Sequence, residues 1–539
     1  MNYTTRVVMA VVCGLHAVVF GSRSRSLTLC RGSIFLAAVA LLCVEVTTAA
    51  DYAVTETTWG DAVTAGSFAW AIDQVNSSTD ATNSITLSSG LQVNVDTADQ
   101  NVDFNYIAQL LKPVTINGNG GTLVGNPFWI NRFSGALYDK TNPARYDATL
   151  GDLFIDAKSF LVVGALSTGT PGLQVSINNL NFNGLNRIAK IEPGSALSVT
   201  GGTMSQLVNF TSGDTVTPGF EVLEGSLNVS NATVTSAYAL QQIAFPTGYI
   251  SNYKGTVNVS DSTMSYLATS GAVVTTGGTT NIVSSVMNDA GGVYSYSASG
   301  PVAGVTNMSN SVLMMYGSLA SGNDANIPFN RLEAGPSATL NVEASTVTAD
   351  LFSMGSETLE QNGIPLFADG GTINLESTAI LASTDELLHP TQTAFVAQNG
   401  GSITADAYSW MSPTPTQSAA DLQTLTGQPS LLTGSPALPL SVFSTTPLVE
   451  QPLAYPTGTY PVAGGVLVDV VPNADGANQL LNPIDSSPIL VDVYGNPRTT
   501  LGSRNVGAVE AVPEPSSLAL LIGGVASAAT AVFRRRGRR

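Results

Sequence analysis

Reactive side chains are what this sequence has least of. Its 539 residues include 3 cysteines and 2 histidines. Cys13, Cys30 and Cys43 all fall in the first 50 residues, so the remainder can form neither a disulfide framework nor a thiolate metal site. Beyond that point His389 is the single imidazole, in Leu387-Leu388-His389-Pro390, which reads as a loop, so a Ser-His-Asp triad has one candidate base and no alternative. Charge is scarce too, at 11% of residues, and one-sided. Residues 51–533 carry 11 Lys plus Arg against 37 Asp plus Glu, a net charge of −26. Such a surface repels phosphate backbones, which argues against nucleic acid as a partner, and repels acidic polysaccharides unless cations bridge them.

What is abundant points to strands. Glycine numbers 52, and Ser, Thr and Asn are common. Long soluble helices favour Ala, Leu, Glu, Lys and Arg, whereas this composition suits short strands and tight turns. From Gly172 the chain repeats. Gly-Leu-Gln-Val at 172 is followed by Gly-Ser-Ala-Leu-Ser-Val at 194, Gly-Ser-Leu-Asn-Val-Ser at 225 and Gly-Thr-Val-Asn-Val-Ser at 255. Related stretches start at 278, 304, 338, 371 and 401, with spacings of 22, 31, 30, 23, 26, 34, 33 and 30 residues. Strand, turn, strand and variable loop is a solenoid pattern, in which no unit buries its apolar face alone and units stack about 4.8 Å apart. The expected fold is all-β, a right-handed parallel β-helix with its repeats over residues 126–411 and a cap and first coils over 51–125.

One column recurs within the units: Asn228, Asn258, Asn281, Asn307, Asn341 and Asn374. Period-2 alternation puts Leu227 and Val229 inward and Asn228 outward. The column is a polar strip for glycan hydroxyls, or an amide ladder with no ligand. Titratable groups show no such order. Between Gly172 and Met411 the basic residues are Arg187, Lys190, Lys254 and Arg331, at unrelated repeat positions, and Asp261, Asp289, Asp350, Asp369 and Asp406 are scattered. Asp385-Glu386 is the one adjacent acidic pair. Asn473-Ala474-Asp475-Gly476-Ala477-Asn478 reads as a turn, since it lacks the closing Glu of a calcium loop. No motif asks for a cofactor or a metal, and no catalytic residue is assigned.

The two ends carry addresses. Arg23, Arg25 and Arg31 precede an apolar run over residues 34–44, then Thr47-Thr48-Ala49-Ala50, the layout of a secretory signal peptide over residues 1–50. At the other end Val512-Pro513-Glu514-Pro515-Ser516-Ser517 leads into an uncharged apolar run to Phe533 and five arginines. Residues 516–533 as a helix span about 27 Å, enough to cross a membrane, with the arginines retained on the cytoplasmic side. The order Pro513-Glu514-Pro515, helix, Arg cluster resembles the PEP-CTERM sorting tail, which implies an exosortase-type membrane protease as partner and at least transient membrane attachment of residues 512–539. Gly66-Ser67-Phe68-Ala69-Trp70-Ala71-Ile72-Asp73-Gln74-Val75-Asn76 resembles the segment that opens many surface β-helices of the pectin-lyase-like kind. It reads as an amphipathic helix with Phe68, Ala71, Ile72 and Val75 on one face. After Trp410 prolines crowd the chain, and Asp492-Val493-Tyr494-Gly495-Asn496-Pro497-Arg498 with Asn505-Val506-Gly507-Ala508-Val509-Glu510 resembles the choice-of-anchor Q domain, making residues 412–511 a Pro-rich and closing region.

Two functions follow. One is an exported structural or adhesive protein of the cell envelope, outer surface or exopolysaccharide matrix. The other is an extracellular polysaccharide lyase or glycoside hydrolase on the same scaffold. The shortage of ordered titratable groups favours the first.

Overall fold

The computed structural model describes residues 50–95, 108–125, 160–185, 188–205, 219–235, 249–268, 272–290, 292–299, 302–316, 331–350, 366–383, 395–406, 408–411, 479–498 and 502–510, with short strand pieces elsewhere. Both addressed ends, including Pro513, Glu514 and Pro515, lie outside this set, as do His389, Asp385, Glu386 and the turn at 474–478. Among the described residues no helix is long and apolar enough to cross a membrane.

Three parallel sheets of 12, 13 and 10 strands run along one another, and the chain visits them in turn, building an all-β solenoid. One coil is Thr256–Ser260 in the first sheet, Thr263–Ala268 in the second and Val273–Thr276 in the third. The stretch that varies in length between repeats therefore contains a third strand. Register is kept coil after coil. Ile177 pairs with Val199, Val199 with Val229, Val229 with Val259 and Val259 with Ile282, an unbroken inward column with every member buried.

The corner between the first and second sheets explains the constant register. From Gln174–Asn178 to Thr372–Glu376, two residues always separate the paired strands. The first of them takes a positive φ: Asn179 at 49°, Gly201 at 68°, Asn231 at 52°, Asp261 at 49°, Ser284 at 48°, Asn310 at 50°, Ala344 at 44° and Ser377 at 49°. Glycine, Asn and Asp adopt that region most readily, which accounts for most of these choices. The second is a buried hydroxyl in successive coils: Ser262, Ser285, Ser311, Ser345 and Thr378. Each hydroxyl donates to the carbonyl two residues back, at 2.8 Å for Ser285 to Val283 and 2.9 Å for Thr378 to Glu376. Most also accept an N–H from the preceding coil, as Ser311 Oγ does from Ser285 at 3.2 Å. Buried donors and acceptors are thereby matched.

The N-terminal end of the stack is plugged. The helix Phe68–Ser77 starts at Ser67, whose hydroxyl caps the Trp70 N–H at 3.1 Å. It buries Phe68, Ala71, Ile72 and Val75. Phe68 stacks on Trp59 at 5.2 Å and meets Phe160 edge-on at 5.9 Å. Strand Ala50–Val54 pairs parallel with Asn83–Leu87 ahead of the first full coil.

The glycine that opens most first-sheet repeats is a close-approach position in the later coils and not at Gly172. At Gly278, with φ of +73°, an added Cβ would lie 2.2 Å from the Gly255 carbonyl oxygen. At Gly172, with φ of +78°, nothing lies within 4 Å. Gly172→Ala is expected to cost about 1–2 kcal/mol, the left-handed penalty alone. Gly278→Ala should cost clearly more, because the coils must also separate. Chemical denaturation of the two variants reads the difference, and equal losses would contradict the close-approach account.

Candidate functional site

The asparagine column forms one hydrogen-bonded ladder. Asn258 Nδ2 donates to Asn228 Oδ1 at 2.7 Å. Asn281 donates to Asn258, Asn307 to Asn281, Asn341 to Asn307 and Asn374 to Asn341, each at 2.8 Å. Thr404 Oγ1 extends it by donating to Asn374 at 2.7 Å, and at the other end Asn228 leans on Ser198 Oγ at 3.4 Å. Every amide points its donor the same way along the stack. An amide carries two N–H groups and two lone pairs, so each interior rung keeps one of each beyond its ladder bonds. Exposure is uneven: Asn228 is open, Asn258, Asn307, Asn341 and Asn374 are half-buried, and Asn281 is 6% exposed.

Acids stand beside this ladder in two coils. Glu343 and Glu376, each two residues after its asparagine, are direct partners across adjacent strands. The signal was present in Leu340-Asn341-Val342-Glu343 and Ile373-Asn374-Leu375-Glu376, and is visible only once the two units are set in register. Other acids serve corners. Asp406 accepts from the Ser377 N–H at 3.0 Å and the Ser409 hydroxyl at 2.6 Å, and Asp369 accepts from Asn399 at 2.6 Å. Burial raises the Asp261 carboxyl above its ordinary value.

Aromatic, acidic and basic groups meet closely on the third sheet. Arg331 Nε donates to Glu333 at 2.7 Å, and its guanidinium lies 3.8 Å from the centre of the Phe367 ring. Tyr294 and Tyr296 stack beside them at 6.3 Å. Burial drives both phenols well above their ordinary pKa, and for Tyr296 the Glu333 carboxylate adds to the effect. Phenols so shifted are poor bases, and Glu333 and Tyr294 are 7% and 1% exposed. The cluster is packed rather than open. Lys190 pairs with Glu192 at 2.9 Å, and Lys254 approaches Glu224 at 3.8 Å. Among the described residues no group of three His, Cys, Asp or Glu is placed to hold a metal ion.

The structure also joins residues that sequence spacing leaves far apart. Segment 479–510 returns to the flank of the second sheet. There Val509 and Ala508 cluster with Val286 and Val312, the Ala508 N–H donates to Thr346 Oγ1 at 3.0 Å, and the Gly507 N–H donates to the Ser377 carbonyl at 2.9 Å. Arg498 is 5% exposed. Its Nη1 donates to Glu510 at 2.6 Å and its Nε to Asn310 Oδ1 at 3.2 Å. Asp492 accepts from the Glu510 N–H at 2.9 Å. The conspicuous Arg498 and Glu510 of the two closing motifs thus pair directly, and a corner asparagine that no motif marks fastens this clasp to the solenoid.

Burial holds the Glu510 carboxyl above its ordinary value, against the pull of Arg498 and the Asn505 N–H. A raised acid contributes stability below its unfolded value and loses it as pH rises through the folded value. Arg498→Met removes the main opposing charge, so its carboxyl rises further. The variant should lose about 3–5 kcal/mol near neutrality, with a deficit that shrinks toward and below the ordinary glutamate value. Unfolding or hydrogen exchange at the Gly507 and Glu510 amides across pH checks this, and a pH-independent deficit would contradict it. On the ladder, Asn281→Ala orphans groups on both neighbours and should cost about 1–2 kcal/mol. Thr404→Val, at the exposed end, should cost less than half as much in the same unfolding measurement.

No protein-family model matches this sequence, and neither a curated protein nor a solved structure does.

Proposed function

We propose that the chain is an exported cell-surface or extracellular-matrix protein, a right-handed parallel β-helix with a structural or adhesive role. A cleaved leader over residues 1–50 would direct export. Residues 512–539 would act as a membrane-spanning sorting tail read at Pro513, Glu514 and Pro515 by an exosortase-type protease. The protein would then reside on the outer surface or in the exopolysaccharide, bound to glycan.

The observation that carries this reading is the amide ladder. It runs through six successive coils about 4.8 Å apart and leaves a donor and an acceptor accessible on five of them, on a face built of Asn, Ser and Thr. Single contacts of this kind are weak, and a long polymer gains by making many at once. None of these groups titrates near neutral pH, which suits holding a chain rather than cutting it. The enzymatic alternative has its best candidates in Glu333 with Tyr296 and Arg331, and in the Glu343 and Glu376 pair.

A glycan panel tests both. The purified protein should retain at least one polysaccharide without shortening it, and Asn258→Ala with Asn307→Ala should weaken retention roughly tenfold while leaving the fold intact. Turnover of any polysaccharide, abolished by Glu333→Gln or by Glu376→Gln, would replace this reading with the hydrolase or lyase. Failure to retain any glycan would remove glycan binding from it.

A further inference from the structure

The clasp buries residues that end two positions short of the sorting motif. Ala508 and Val509 are 0% exposed and Glu510 is 7% exposed. Their backbone is also engaged, by the Ala508 N–H on Thr346, the Glu510 N–H on Asp492 and the Val493 N–H on the Ala508 carbonyl at 3.2 Å. Pro513 follows Glu510 by three positions, at most about 10 Å of extended chain. A protease that cuts beside Pro513 grips an extended peptide on both sides of the scissile bond, using its backbone groups and alternate side chains. On the N-terminal side that peptide runs back through Val512 and Ala511 to Glu510, Val509 and Ala508, and these last three are occupied. A membrane-embedded protease would also have to bring its cleft against the folded flank of the second sheet.

We infer that the clasp gates removal of the tail: cutting near Pro513 waits until Arg498, Asn310 and Glu510 part and residues 506–510 peel from the solenoid. The inference rests on the reading of residues 512–539 as a processed tail. Local opening of a peripheral segment can occur without unfolding the stack, so the clasp can set the rate while the coils stay intact. Val286, Val312 and Thr346, which the segment covers, are already paired within the second sheet, so its release breaks none of that sheet's pairing.

Two variants test it in the producing cell, with tail removal followed by mass. Arg498→Met should be processed at least roughly tenfold faster than the parent, with the solenoid still resistant to protease. The second joins the clasp covalently. A Cβ built at Gly507 lies 3.4 Å from the Ala379 Cβ, close to disulfide separation. The chain has no other cysteine beyond residue 50. Gly507→Cys with Ala379→Cys should block processing when oxidised and release it on reduction, each sample serving as its own control even if the new side chain strains the clasp. Equal processing of the oxidised and reduced forms would overturn the inference and leave the tail reading standing. A parent chain that is exported and never trimmed would overturn both.

Discussion

Each coil can satisfy its backbone only by pairing with the coil before it and the coil after it. Parallel strands from one chain cannot be neighbours in sequence, so the ladder bonds of the solenoid join residues some twenty to sixty positions apart. That constraint makes register the controlling quantity. A slip of one residue would turn Val229 and Val259 out to water and bring Asn228 and Asn258 into the core. The corner between the first and second sheets opposes such a slip twice, by a left-handed residue that sets the angle and by a buried hydroxyl that ties one coil to the next.

The polar groups follow the same logic. Asparagines bond to asparagines, corner serines to neighbouring coils, and Arg331 and Arg498 to carboxylates within reach. A charge taken out of water is costly unless matched, and a chain with few cations places several of them against a carboxylate. This thrift leaves the outer face of the first sheet almost free of titrating groups, with Asp51, Glu343 and Glu376 its marked exceptions.

How much of this could be read beforehand depends on spacing. The first-sheet strand and its asparagine stood out because Leu227-Asn228-Val229 and its relatives recur with the same internal order. The helix at Phe68 was legible from its apolar face, while its Ser67 cap emerged only with the structure. The third sheet was not, because strands such as Ile250–Tyr253 and Val273–Thr276 follow connections of different length and share no fixed offset. The clasp was half legible. Arg498 and Glu510 lie in conspicuous motifs, yet Asn310, which ties Arg498 to the solenoid, sits 188 positions from it and looks like any turn residue. Pairing Glu343 with Glu376 required knowing that Asn341 and Asn374 are neighbours.

The two-residue corner has a consequence for how such a chain can change. Between the second and third sheets the connection ranges from the two glycines that separate Ala290 from Val293 to far longer stretches such as 317–331. Between the first and second it does not vary over the whole run from Asn179 to Thr378. Insertions and deletions are therefore tolerated along one edge of the solenoid and rejected along another. A lineage of such proteins could diversify everything it displays on the permissive edge while the amide face stayed constant. Whole coils could be gained or lost as units, lengthening or shortening that face in steps of one rung.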